Sequence, residues 1–239
     1  MVFDAAFAHR TWTVLLFSLV LLVPDAFAQI TVGDIRIDPD DFSSEQEPET
    51  RIAKCLGCHG KRLAGDIDFG PDVHFGTPAL RGMREAYIGE SLLAYKTGQR
   101  SHKEMTAIAA MLDAETVDFM ARTFAAFPTP LAKTADEIDA LAKNDERFRT
   151  GQVIAREGIP AKGVPACATC HGADGEGNPV LGPRLAGQNS IYIQQQFEVF
   201  ADGSRRTQRA AAMRPVVAGL DEDEIGAVAH YYERLVQFD

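Results

Sequence analysis

Two copies of one six-residue string hold every cysteine in this 239-residue chain. They are Cys55-Leu56-Gly57-Cys58-His59-Gly60 and Cys167-Ala168-Thr169-Cys170-His171-Gly172. The spacing C-x-x-C-H reads as covalent attachment of a c-type haem. Two thiols about one helical turn apart can each add to a vinyl group of one porphyrin. The histidine that follows then lies under the iron as its proximal ligand. Other uses of C-x-x-C fit less well. A four-cysteine zinc site wants its two pairs about 15–20 residues apart, whereas these are offset by 112 positions and each carries its own histidine. Structural disulfides rarely choose a two-residue gap, and a redox dithiol leaves the repeated histidine and glycine unexplained. The expected cofactors are therefore two covalently bound haem c groups. Cys55, Cys58, Cys167 and Cys170 are the attachment points, and His59 and His171 are iron ligands.

The N-terminus suits a protein that acquires haem after export. Met1 to Arg10 precedes an apolar run from Trp12 to Val23, then Pro24-Asp25 and Ala26-Phe27-Ala28. This reads as a signal peptide over residues 1–28 with cleavage after Ala28, although an uncleaved anchor stays open. The run falls short of the roughly 20 residues that a membrane span needs. The expected compartment is the periplasm, where the thiols end as thioethers. A formal charge of −10 argues against nucleic acid and against attraction to anionic lipid through net charge. Peripheral membrane association stays open.

The rest of the chain repeats. Pro183, Tyr192, Ile193, Gly203 and Arg205 each follow Pro78, Tyr87, Ile88, Gly98 and Arg100 by 105 positions. Met213, Leu220, Asp221, Ile225 and Tyr232 follow Met105, Leu112, Asp113, Val117 and Phe124 by 108. Register held this long, with shifts only of loop size, indicates a duplicated domain. Two units are expected, over 29–132 and 133–239. Residues 29–45 read as an irregular lead-in, and Glu47 to Lys54 as a short helix entering the first motif. Ala86 to Lys96 reads as a helix stopped at Gly98. Another, capped by Asp113, carries Val117, Met120, Ala121, Phe124 and Phe127 on one face. Pro128-Thr129-Pro130 opens a linker. A charged helical stretch from Thr134 leads into a helix from Phe148 to Glu157, and Asp221 with Glu224 begins the last helix.

Each iron needs a second axial ligand or an open face. Methionine sulfur favours ferrous iron, histidine lowers the potential, and an open site permits ligand chemistry. Met213 stands just before the last helix, in a segment read as a loop and followed by Arg214-Pro215-Val216. Met105 holds the matching place, in a polar loop. These are the expected distal ligands. His102 is the main rival in the first half, alongside His74, Met83 and Met111. His74 reads as a surface residue and His230 as a packing or capping residue. The second nitrogens of His59 and His171 need acceptors, and carbonyls in the loops at Pro78 and Pro183 are the candidates. Arg205, Arg206, Arg209 and Arg214 cluster round Met213, and Arg100 and Lys103 lie near Met105. They read either as propionate partners or as a basic rim that orients an acidic partner.

Together these residues resemble the di-haem cytochrome c4 family, a duplicated class I cytochrome c. The features carrying it are the two C-x-x-C-H-G strings, Pro183-Arg184-Leu185-Ala186-Gly187 with Pro78-Ala79-Leu80-Arg81-Gly82, Met213-Arg214-Pro215, and an aromatic last helix. The resemblance implies an all-α fold of two tandem class I cytochrome c domains related by a pseudo-twofold axis. Each would wrap a covalent haem, and the haem edges would face each other. It also implies single-electron transfer between a respiratory donor and an acceptor. The partners would be redox proteins such as a quinol–cytochrome c reductase, a cytochrome oxidase or a dehydrogenase. The cytochrome subunit of flavocytochrome c sulfide dehydrogenase resembles the same pattern. A di-haem peroxidase or a thiosulfate dehydrogenase would need an open or unusually ligated iron, and no catalytic constellation is apparent, so a carrier is expected and not an enzyme. Two departures stand in the first half: Ala107 replaces Pro215, and the loop after the first motif is seven residues longer.

Overall fold

A computed structural model describes residues 30–32, 35–66 and 76–237. The expected signal peptide and His74 lie outside the described residues. Ten α-helices account for most of them. In order these are α1 (Pro48–His59), α2 (Glu85–Lys96), α3 (Lys103–Met111), α4 (Ala114–Ala125), α5 (Ala135–Asn144), α6 (Glu146–Glu157), α7 (Ala168–His171), α8 (Ser190–Ala201), α9 (Gln208–Ala218) and α10 (Glu222–Glu233). Among the described residues, no helix is long and apolar enough to cross a membrane.

The helices gather round two apolar cores. One contains Met83, Ile88, Leu112, Met120 and Phe124. The other contains Phe148, Ile193, Phe197, Val228, Tyr231 and Tyr232. The same apolar spacing recurs in both because the same elements recur: α2, α3 and α4 in the first half, and α8, α9 and α10 in the second. Aspartates start the last helix of each. Asp113 accepts from the Thr116 amide at 2.7 Å, and Asp221 accepts from Glu224 at 3.0 Å while Glu224 reaches back to the Asp221 amide. Each satisfies an amide that the helix itself leaves unpaired.

Four expectations change. The lead-in is not irregular throughout: β1 (Ile30–Val32) and β2 (Ile35–Ile37) pair antiparallel, and a 3-10 turn follows at Pro39–Phe42. Ile37 and Phe42 are buried in the first core, so two apolar residues draw a polar segment inward. The first motif lies inside α1, which continues through His59. Residues 134–149 form two helices. Asp145 ends α5 and caps α6, its Oδ1 accepting from the Phe148 amide at 2.9 Å. Finally, Met105 and Met213 are on helices α3 and α9 rather than in loops. Side-chain caps at His102 and Thr207 start those helices earlier than the polar composition suggests.

In the second half, α6 and α10 cross at closest range where Gly151 meets Ala227. A Cβ at residue 151 would lie 2.0 Å from the Ala227 carbonyl oxygen. β3 (Leu131–Ala132) pairs antiparallel with β4 (Val236–Gln237), so the segment after Pro130 is tied to the chain's end.

Candidate cofactor sites and the seam between them

In the first half, α1 sets Cys55 and Cys58 three residues apart on one helix and ends on His59. The His59 ring is buried, and its Nδ1–H donates to the Pro78 carbonyl at 2.9 Å. In the second, His171 closes the single turn α7 and donates in the same way to the Pro183 carbonyl at 2.8 Å. The expected carbonyl acceptors are therefore the proline carbonyls themselves. Each bond fixes the tautomer and leaves Nε2 with its lone pair free to ligate. Burial pushes both imidazoles below their usual pKa, against the raising effect of the carbonyls. The unprotonated form that metal ligation requires is thereby favoured. Gly182 lets the second loop pass His171 closely: a Cβ there would lie 2.8 Å from the ring.

A cavity of about 610 Å³ opens beside α1. Cys55, Cys58 and His59 line it together with Met105 and His102, and its apolar wall includes Ile37, Phe42, Leu80, Ile88, Ile108 and Phe124. Met83, a rival ligand, lines it as well but is buried in the core, and Met111 packs against that core. Met213 is half-buried on α9 and packs on the second core, as do Cys167, Leu185 and Phe200. His230 lies away on α10, its Nε2 2.7 Å from Asp145. Two thiols, an imidazole and a thioether round an apolar cavity are a donor set that fits a covalently held iron porphyrin.

The rival uses of the cysteines fare worse. A redox or metal-binding thiol is activated by a lowered pKa. Here burial, reinforced by Cys58, pushes the Cys55 thiol up to about 12, and burial also raises Cys58 and Cys167. Among the described residues, no group of three or more His, Cys, Asp or Glu side chains is placed to hold a metal by itself.

The basic cluster is not an open rim. Arg205 is buried. Its Nη2 donates to the Tyr87 hydroxyl in the other half at 3.2 Å, and its Nη1 donates to Gln196 Oε1 at 2.8 Å. Arg100, also buried, donates from Nη2 to the Tyr192 hydroxyl at 2.9 Å and to Gln196 Oε1 at 3.0 Å. The repeated pairs Tyr87/Tyr192 and Arg100/Arg205 thus meet reciprocally across the seam, as a pseudo-twofold relation requires. Arg206 bonds the Gly98 carbonyl, and Arg209 pairs with Glu90 at 2.9 Å. The clustering therefore reflects contact between halves. Of the residues singled out for an acidic partner, Lys103, Arg206 and Arg214 are exposed, Arg206 while bonded to the other half.

Two contributors to the seam carried no sequence signal. Gln188 donates to the Ala79 carbonyl and accepts from the Ala79 amide, at 2.9 and 2.8 Å. Asp66 is buried and accepts from the amides of Gly76 and Thr77 and from Asn189 Nδ2. Neither lies in a motif, and their partners across the seam, Ala79 and Asn189, are 109 and 123 positions away.

A family model described as Cytochrome c matches residues 157–235. Cytochrome c4 of Thiocapsa roseopersicina is 32% identical over 80% of this chain and 94% of its own. A thiosulfate dehydrogenase electron acceptor of Stutzerimonas stutzeri (strain A1501) is 30% identical over 77% of this chain and 79% of its own. Reduced recombinant cytochrome c4 from Pseudomonas stutzeri has a similar structure, with a TM-score of 0.62 and 25% identity over 79% of this chain and 96% of that one. Thiosulfate dehydrogenase from Marichromatium purpuratum also gives 0.62, at 30% identity over 75% of this chain, which spans 36% of that longer chain.

Proposed function

The chain belongs to the di-haem cytochrome c4 family, and from that membership we propose that it shuttles single electrons between redox proteins in the periplasm. It is an electron carrier with two covalently bound haem c groups. In the proposed assignment, Cys55 and Cys58 hold the first haem and Cys167 and Cys170 the second. His59 and His171 are the proximal ligands, and Met105 and Met213 the distal ones. The observation that carries this reading is the paired geometry of His59 with Pro78 and His171 with Pro183.

The bound iron supplies one-electron exchange between its ferric and ferrous states. The protein's own residues do the positioning. The proline carbonyls orient each imidazole, and burial keeps it neutral. Ile37, Phe42 and Phe124 keep water from the first site. A thioether on the distal side favours the reduced iron. No side chain needs to move a proton.

A second reading is favoured by the relative that is a thiosulfate dehydrogenase electron acceptor: the donor would be a dehydrogenase, to which this chain is an accepting subunit. Mass spectrometry of the exported protein tests the common core. Two haems per chain and loss of residues 1–28 are expected, and a mass accounted for by amino acids alone overturns it. Titrating the oxidised protein with reduced partner preparations separates the readings. Rapid reduction by a sulfur-compound dehydrogenase supports the second, and reduction by a quinol–cytochrome c reductase alone supports the first.

A further inference from the structure

The seam between the halves holds a charge that the described protein residues do not balance. Arg100 and Arg205 are 5% and 6% exposed. Neither guanidinium pairs with a carboxylate among the described residues. Their hydrogen-bond partners are neutral: two tyrosine hydroxyls and the amide oxygen of Gln196. Both cations donate to that one oxygen, so two like charges are held close together out of water. Aromatic faces cover them, Tyr95 4.5 Å from Arg100 and Phe200 5.0 Å from Arg205, but give only partial compensation. Nε of Arg205 is buried with no hydrogen-bond partner among the described residues. Burial raises the Tyr87 phenol, yet Arg205 and Arg100 outweigh it and bring the group down to about 8, which reports the same positive field.

Buried charges are ordinarily paired, and removing one member of a pair is costly because the other stays uncompensated. Guanidinium is the side chain suited to planar, bidentate recognition of carboxylates. Arg100, Tyr87 and Tyr192 line the first haem cavity, and two residues of the other half, Gln188 and Tyr192, help to close it. The missing counter-charge therefore belongs at the edge of that cavity and at its symmetry mate.

We infer that Arg100 and Arg205 form one shared carboxylate-binding site that receives the propionates of both haems, so that each guanidinium acts on the haem of the other half as well as its own. This rests on the two-haem reading above. Each arginine is a positioning and charge-setting residue, and the two reduction equilibria are coupled through the pair. Removing one guanidinium leaves negative charge unbalanced near both irons, which favours the ferric state of both.

The test is spectroelectrochemical titration of the fully loaded, full-length protein. Haem content is measured first: fewer than two haems in the native protein defeats the functional reading itself. With two haems present, Arg100→Gln or Arg205→Gln is expected to lower the reduction equilibrium constant of both haems, each by about tenfold, or about 59 mV for a one-electron couple. Arg100→Lys and Arg205→Lys keep the charge and are expected to stay within about twofold of native. Arg209→Gln removes an equal charge whose partner, Glu90, is already in place, and is expected to change little. A shift confined to one haem, a shift no larger than that of Arg209→Gln, or a lysine variant that moves as far as its glutamine counterpart overturns the shared site. If the glutamine variants lose haem, the lysine variants decide. Loaded protein with near-native midpoints supports the site, and equal loss of haem overturns it.

Discussion

The two halves hold the same motif with unequal scaffolding. In the second, α6 crosses α10 at Gly151, the motif occupies its own short turn, and Met213 lies six residues into α9. In the first, a single helix reaches from Pro48 through the motif to His59. The lead-in residues Ile37 and Phe42 complete the core, and Met105 is only the third residue of α3. His102 caps that helix and lines the same cavity as His59, whereas its counterpart three residues before Met213 is Ala210. The family model matches residues 157–235, within the second half. The motif and its histidine–carbonyl bond recur in both halves while the elements that carry them differ.

The comparison breaks most sharply at the helix crossing. Gly151→Ala puts a methyl group into the Ala227 carbonyl. Overpacking of this kind costs about 1–3 kcal/mol and occasionally more. Thermal melts followed at the haem absorption should show the second half unfolding earlier with the first little changed. A single unshifted transition would mean that the crossing is not what distinguishes the halves.

The proposed distal ligands sharpen it next. Met213→Ala should abolish one Met–iron charge-transfer band and leave a high-spin haem, since Ala210 offers no substitute. Met105→Ala should abolish the other band yet remain low-spin while His102 is present, and become high-spin in the His102→Ala/Met105→Ala protein. Electron paramagnetic resonance distinguishes these outcomes, and a high-spin Met105→Ala single variant would remove His102 from the distal side.

Gln188→Leu leaves the amide and carbonyl of Ala79 without their partner at a buried position. Unsatisfied groups of that kind cost about 1–3 kcal/mol each. Hydrogen exchange should quicken on both faces of the seam while each half keeps its own core protection.

The smallest effect is on acid stability. Asp113 is held below its usual pKa by the Thr116 amide. In the second half, Glu137 is lowered by Thr134, Asp145 by His230 and Asp221 by Glu224. A carboxylate lowered in the folded state contributes stability at neutral pH, and that contribution is lost as pH falls through the folded value. Among the described residues the second half has more such groups and should loosen first on acidification, as residue-resolved hydrogen exchange can show. Equal loosening would indicate that these caps do not set acid stability.

Much of the site was legible in residue order. The four cysteines and two histidines announce their chemistry by spacing, and the 105- and 108-residue offsets announce the duplication. Tyr87, Tyr192, Arg100 and Arg205 were visible as repeated pairs, yet their meeting was not, since an offset says nothing about which surfaces face each other. The basic residues round Met213 read either as propionate partners or as a rim for an acidic partner, and residue order could not choose between them. Burial removes Arg205 from the rim. Met105 and Met213 were taken for loop residues because polar neighbours hid helices that begin on side-chain caps. Asp66 and Gln188 had nothing to mark them.

The order of residues alone determined the cofactor, its attachment and the doubling of the fold, because covalent chemistry depends on which atoms are adjacent along the chain. Only the tertiary structure decided that two arginines, one from each half, converge on a single amide oxygen. Such a cluster arises from the packing of surfaces about a hundred residues apart, and its energetics depend on exclusion from water, which no local pattern encodes.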